Sequence, residues 1–569
     1  MTDAATPAAA TAKSSWLPMG VILLAQMQMA FNVNALPISI GPIVESLDVA
    51  STTVGTALVV YSLVVAAFVL VGAKLGKLIG ERLVFQVTVV LHGAAMALMA
   101  FSPSAGVMIL SQALAGLAAA ALVPTLVVLI AANYQGKQQE QALGLLAGAP
   151  AMAGVLAFFL AGAFGTLLSW RLSFAILAVV AVGVLLLSFR LSSVKRQPEV
   201  TIDLVGAALA ALSIILISFG FNNLNSWGAL LASPTAPFNL AGLSPAPFMI
   251  LAGLVGVQLF FVWSHRRVGA KKSPLMSLEV IDSKEERSAI VALLVIGGLG
   301  PAVNFLIPLY IQIVQGQTSL QTSVSVIPYT VAIFSAAVLI VRLYGRFAPR
   351  EIGTVGFLIV SVGLTLLAFT IQNDWGTLAV IFGLIVLGLG EGALLTLLFN
   401  VLVSASPKRL AGDVGALRGV ANNLATAVGT AVAGALSVGV LAYLISVNVE
   451  EIAVLPPPIQ EQIELDNVDF ISNDHLEDVL EQYSTPSAVV GEIVDINAKA
   501  RLQALKATLL VLAGVALLAV VPSRGLPPYR PGEVPVERET TRRRLPRAKP
   551  RSVRAAGKDG AAPPLSELA

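Results

Sequence analysis

Apolar residues run along this chain in long unbroken blocks instead of alternating or recurring every third or fourth position. Fourteen blocks, centred near residues 28, 62, 92, 119, 152, 180, 212, 255, 300, 331, 362, 390, 430 and 511, each reach the length a helix needs to cross the bilayer core, about 20 residues. A helix that is apolar all round has no face to offer water, so lipid and neighbouring helices must cover it. The pattern predicts an all-α polytopic membrane protein with fourteen spans. An even number places both termini on one side. The first block follows Trp16 and exceeds the roughly 7 to 15 residues of a signal-peptide core, so it is expected to be retained as a span.

Lysine and arginine set the expected orientation. With the N-terminus inside, 31 of the 35 basic residues fall on the cytoplasmic side, among them Lys74, Lys77, Arg82, Arg266, Arg267, Lys271, Lys272 and the tail beyond Val521. Both termini are therefore expected in the cytoplasm, with the chain in the plasma (inner) membrane. On the other side lies one large segment, 448–501, which holds twelve of the 32 acidic residues. Pro456-Pro457-Pro458 opens a rigid stretch of it, and Asp474 to Tyr483 has the spacing of a short amphipathic helix. A small folded cap and a solvated acidic loop both fit that segment. The tail 522–569, with Arg542-Arg543-Arg544, has the composition of a disordered segment attracted to anionic lipid.

Composition removes whole classes of function. The chain is 56% apolar and only 12% charged, about half the charged share of a soluble domain. With no cysteine, disulfides, thiolate metal sites, iron–sulfur clusters and thiol nucleophiles are excluded. His92, His265 and His475 lie too far apart to suggest a metal site, and no glycine-rich phosphate loop ends in Lys-Ser/Thr. No cofactor, metal, nucleic-acid partner or ATP-driven pumping is expected, and no clustered nucleophile, base and carboxylate suggests an enzyme.

An internal repeat organises the spans. A shift of 268 residues superposes Tyr61 on Tyr329, Leu75 on Leu343, Arg82 on Arg350 and Met96–Phe101 on Leu364–Phe369, and a shift of 272 brings Gly116 onto Gly388. Two related six-helix bundles follow, as in transporters whose halves are related by an axis along the membrane normal. The expected domains are a short tail (1–15), a first bundle (16–191), two extra helices with their loops (192–267), a second bundle (268–521) and the basic tail (522–569).

Several local patterns fit this layout. The loop Ala73-Lys74-Leu75-Gly76-Lys77-Leu78-Ile79-Gly80-Glu81-Arg82 is similar to the motif Gly-x-Leu-x-Asp-Arg-x-Gly-Arg-Arg, with Lys77 at the Asp position and Glu81 at an Arg position. Ser169-Trp170-Arg171, and Ala411-Gly412 leading into Asn422 and Asn423, also match. In these features and in its six-two-six helix arrangement, the chain resembles the fourteen-helix drug:proton antiporter branch of the major facilitator superfamily over nearly all of residues 16–521. Gln112 stands where that branch has an Arg in span four. Ala157-Phe158 and Ala161-Gly162 replace its Gly-Pro-x-x-Gly-Gly motif, and span one offers Gln26, Gln28, Asn32 and Asn34 in place of an Asp. The resemblance implies a secondary transporter with alternating access that moves a small amphipathic or hydrophobic solute outward. It also makes Lys77, Glu81 and Arg82 candidates for an inner-loop latch between the halves, against the reading of ordinary cytoplasmic charges.

Ionisable groups at bilayer depth cost at least about 2.5 kcal/mol on insertion scales, which marks each as a functional candidate. Glu391, in Gly388-Leu389-Gly390-Glu391-Gly392, lies midway between Asp374 and Ser406 in span twelve, with no basic residue at its depth. It is the candidate for carrying a proton or holding a cationic solute; a structural carboxyl bonded to a neighbouring carbonyl is the alternative. In the resembled fold the first and fourth helices of each half line the cavity, which selects Gln28, Asn32, Asn34, Gln112 and Asn304 as solute-contacting candidates. Gln28 and Asn32 share one helix face, and interhelical hydrogen bonding competes with solute contact for each amide. His92 reads as a packing residue. Pro124, Pro150, Pro301, Pro308 and Pro328 can kink their spans. An uncoupled facilitator or lipid transporter of the same fold remains open, as does a non-transporting sensor or scaffold. The expected partners are a small-molecule solute, membrane lipid and a proton, with no oligomer required.

Overall fold

A computed structural model describes residues 15–134, 136–192, 196–197, 201–224, 226–281, 283–343, 346–372, 378–405, 411–449, 476–477 and 487–528. Among these are fourteen helices long and apolar enough to cross a membrane, one for each predicted block. They are α1 (Leu17–Ile38), α2 (Ser51–Ile79), α3 (Glu81–Ala100), α4 (Ala105–Asn133), α5 (Gly136–Leu167), α6 (Arg171–Ser188) and α7 (Leu204–Asn222). The series continues with α8 (Pro245–Gly269), α9 (Lys284–Leu309), α10 (Ser319–Leu343), α11 (Pro349–Thr370), α12 (Leu378–Ala405), α13 (Ala411–Val449) and α14 (Ser487–Leu518). Short helices at Ile40–Leu47 and Val520–Ser523 follow α1 and α14. Asp374, Ser406, Lys408, Arg409, Pro456–Pro458, His475 and Arg542–Arg544 lie outside the described residues, as does most of Asp474–Tyr483.

The repeat seen in the sequence is also a repeat of packing. In the first bundle α2 packs on α4, α3 on α4 and α6, and α1 on α5. In the second, α10 packs on α12, α11 on α12 and α14, and α9 on α13. The superposed glycines explain why those residues recur. A Cβ placed on Gly116 would lie 2.5 Å from the Tyr61 carbonyl oxygen, and one on Gly388 would lie 2.6 Å from that of Tyr329. Any side chain there would force the fourth helix of each bundle off the second.

The bundles meet along α2 against α13 and α5 against α10, two contacts that the repeat exchanges. The inserted pair α7–α8 packs on itself and lays α7 against α2 and α13, so it stands at the seam. Asp203 caps α7 by accepting from the Gly206 amide at 3.1 Å. The same carboxylate accepts from Trp263 Nε1 at 3.1 Å and pairs with Arg267 Nε at 3.3 Å, tying the two inserted helices together at their basic-loop end.

Boundaries differ from the sequence reading on both sides of the last helix: the tail expected to be disordered from residue 522 begins in a helical turn, Val520–Ser523, with Ser523 and Leu526 buried and Leu526 packed against Gly353 of α11. The last helix begins at Ser487, so residues 487–501, expected in the acidic segment 448–501, are helical, and the apolar span runs from Ile493 to Ser523. Arg501 is fully buried there, beside Tyr310, where the sequence reading placed it at the segment's edge. Tyr310 opens a π-helical turn, Tyr310–Val314, just beyond Pro308, whose missing N–H disturbs the regular ladder.

Candidate functional site

Three helices of the second bundle assemble around Glu391. The side chain projects from α12, is only 6% exposed, and accepts a hydrogen bond from the Tyr329 hydroxyl of α10. Its carboxylate lies against α9 at Gly300, in space that any Cβ at that position would occupy. Along the same stripe of α9, Gly297 faces the Asn422 carboxamide of α13, and Asn304 follows Gly300 by one turn, partly exposed. The stripe of α9 against which the acid lies thus has a neutral amide one turn to either side of Gly300.

The repeat makes the site one-sided. Tyr61 corresponds to Tyr329, but the shift that pairs Gly116 with Gly388 places Ala119 opposite Glu391. Ala119 is buried at the equivalent place in α4. Only the second bundle carries the acid.

In the first bundle, Asn32 of α1 and Gln112 of α4 satisfy each other. Asn32 Nδ2 donates to Gln112 Oε1 at 2.9 Å, and Gln112 Nε2 returns a bond to Asn32 Oδ1 at 3.1 Å. Both are buried, so this pair fastens two helices together. One turn away on α1, Gln28 is just as buried, yet neither end of its amide has a protein partner among the described residues. Asn34 donates to the Ala30 carbonyl at 2.7 Å and faces Gly154 of α5. His92 is buried on α3, and neither ring nitrogen has a hydrogen-bond partner among the described residues. Its helix packs against α4 and α6, away from the second bundle.

The inner-loop residues turn inward on their own bundle. Arg82 donates to the Phe189 carbonyl at 2.6 Å and lies over that ring, capping the end of α6. Glu81 is buried against Gly76 and beside Thr125. The backbone carbonyl of Lys77 accepts from the Gln197 amide at 2.8 Å.

Gln312, absent from the sequence-derived candidates, bridges the bundles. In the π turn after α9 it accepts from the Gly41 amide at 2.8 Å and donates to the Pro37 carbonyl at 3.3 Å. Beside it, the Leu320 amide donates to the Thr166 hydroxyl at 3.0 Å. These bonds lie at the helix ends opposite the basic loops: Gln312 joins the end of α9 to the end of α1, and Leu320 with Thr166 joins α10 to α5. No motif marks Gln312, because the widened turn that aims it inward depends on packing around Pro308.

Comparison with known proteins agrees with this architecture. The Major Facilitator Superfamily model matches residues 22–430. The multidrug efflux pump LfrA of Mycolicibacterium smegmatis is 26% identical over 430 residues, covering 75% of this chain and 81% of that protein. The probable actinorhodin transporter of Streptomyces coelicolor is 25% identical over 451 residues, covering 77% and 75% respectively. Among solved structures, an inward-facing, occupied bacterial homologue of the human lysosomal transporter Spinster aligns over 89% of this chain and 95% of its own, with TM-score 0.57 and 13% identity. That likeness is one of fold.

Proposed function

The chain belongs to the Major Facilitator Superfamily, and on that premise we propose that it is a secondary active transporter exporting a small amphipathic or hydrophobic organic solute, with proton coupling through Glu391. One observation carries the coupling: the carboxyl is buried at mid-span, bonded to a tyrosine, and set in a niche only a glycine leaves open. Such a group can exchange a proton with one side at a time if the bundles rock about it.

In this reading, Tyr329 holds the carboxyl against α9 and Asn304 extends the polar stripe toward the solute. Gln28 offers a buried amide whose unused donor and acceptor suit an uncharged polar group. The closure by Gln312 and Thr166 supports alternating access. With the basic loops in the cytoplasm, these contacts seal the outer end and correspond to an inward-facing state. Efflux in the name of the relative LfrA supports the outward direction. The Lys77–Arg82 loop acts between the bundles only in the opposite state, since here Arg82 is engaged within its own bundle.

The test is solute flux in proteoliposomes under an imposed pH gradient. Glu391→Gln keeps the shape and the hydrogen bond but removes the titratable group, so gradient-driven flux should fall to the level seen without a gradient. Unchanged gradient dependence in that variant removes the coupling proposal. Wild-type flux that needs no ion gradient would instead favour an uncoupled facilitator, which the neutral amides Asn304 and Gln28 also suit.

A further inference from the structure

Away from Glu391, a partly enclosed cleft of about 170 Å³ lies among α2, α7, α9 and α13. Thr56, Asn222, Asn223 and Thr430 supply hydroxyl and amide groups, while Val59 and Phe305 form an apolar floor. No ionisable side chain lines it among the described residues. Val59 is two turns from the start of α2, so the cleft reaches about 12 Å inward from the end opposite the basic loops. Phe305 is buried, with its ring edge against Gly55, and follows Asn304 directly on α9.

We propose that this cleft is a second binding site, for an uncharged, sugar-headed lipid of the leaflet opposite the basic loops, with the inserted helix α7 as its outer wall. The polar groups near the mouth match a hydroxyl-rich head, and the apolar floor at hydrocarbon depth matches the start of an acyl chain. A charged head would find no counter-ion among the lining residues and would lose hydration without replacement. The inserted pair thereby gains a role at the seam it occupies. The site stands apart from proton coupling, since it shares no residue with the Glu391 niche.

The natural absence of cysteine makes a direct test possible. Full-length Thr56→Cys and, separately, Asn223→Cys variants are placed in phosphatidylcholine nanodiscs and labelled with a membrane-impermeant maleimide. The discs contain either monogalactosyl diacylglycerol or phosphatidylglycerol in equal share. Near saturation the glycolipid should slow labelling about tenfold, in proportion to the unoccupied fraction, and phosphatidylglycerol should leave it unchanged. Adding Gly434→Leu should abolish the slowing, because a Cβ there meets the Phe305 ring at an ordinary 3.7 Å and the remaining side chain fills the cleft. Unslowed labelling with the glycolipid, equal slowing by phosphatidylglycerol, or slowing that survives Gly434→Leu would each overturn the proposal. The readout is labelling, so loss of coupled flux elsewhere has no bearing on it.

Discussion

Asn32 and Gln112 illustrate how a buried amide pair differs from two separate polar residues. Each fills the other's donor and acceptor, so truncating one leaves its partner desolvated and unbonded. Asn32→Ala or Gln112→Ala alone should therefore cost about 1–2 kcal/mol, while Asn32→Leu with Gln112→Leu should cost less than the two leucine single variants added together. Thermal unfolding of the purified variants in a double-mutant cycle measures this. Strict additivity would show that the pair contributes nothing as a pair. At this scale the sequence showed Glu391 clearly, because an acid amid apolar residues stands out along the chain. Its tyrosine partner 62 positions away and the pairing of Asn32 with Gln112 could not be read, since helix rotation decides which polar groups meet. Arg501 was misplaced for a related reason. Long-range packing beside Tyr310, with no local signal, lets the last helix begin about fifteen residues earlier, at Ser487.

Elements were more legible than their joints. Block length alone located every span, because bilayer thickness fixes how many apolar residues a helix must supply. The insertion of α7 and α8 was visible as a gap in the repeat, whereas their attachment to each other was not. Asp203 makes that attachment by serving as helix cap, indole acceptor and guanidinium partner at once. Asp203→Ala removes all three and leaves Arg267 without its counter-charge, so a loss of about 2–3 kcal/mol is expected. A melting temperature equal to that of the wild type would show that α7 and α8 are held by apolar packing alone. Asp203→Asn retains the cap and should recover part of the loss. The π turn at 310–314 is the opposite case: Pro308 announces a disturbed helix, but nothing local shows that the extra residue per turn will aim Gln312 at the other bundle.

Across the whole molecule, the repeat creates two kinds of surface between the bundles, and they differ in what holds them. The α2–α13 seam carries an apolar cluster of Val59, Ala66, Ala67, Ala427 and Ala431, and apolar contact of this kind gives no reason to prefer one state. The α5–α10 contact carries the Leu320–Thr166 hydrogen bond at its end, and beside it Gln312 ties the π turn after α9 to Pro37 and Gly41 at the end of α1 by two more. Removing them by Gln312→Ala should weaken closure by about 1–2 kcal/mol, enough to raise the open population roughly tenfold if the two states are within a few kcal/mol of each other. Ser323 reports on this directly. It is fully buried against Gly162 of the facing helix, and Ser323→Cys is close to isosteric in a chain that has no other thiol. In sealed proteoliposomes, an impermeant maleimide added on the side opposite the basic loops should label Cys at 323 several-fold faster when Gln312 is Ala. The increase should vanish when the reagent is confined to the basic-loop side. Equal rates with and without Gln312 would mean that α5 and α10 stay closed without its bonds, and the π turn would then be an irregularity of α9 with no part in the transport cycle.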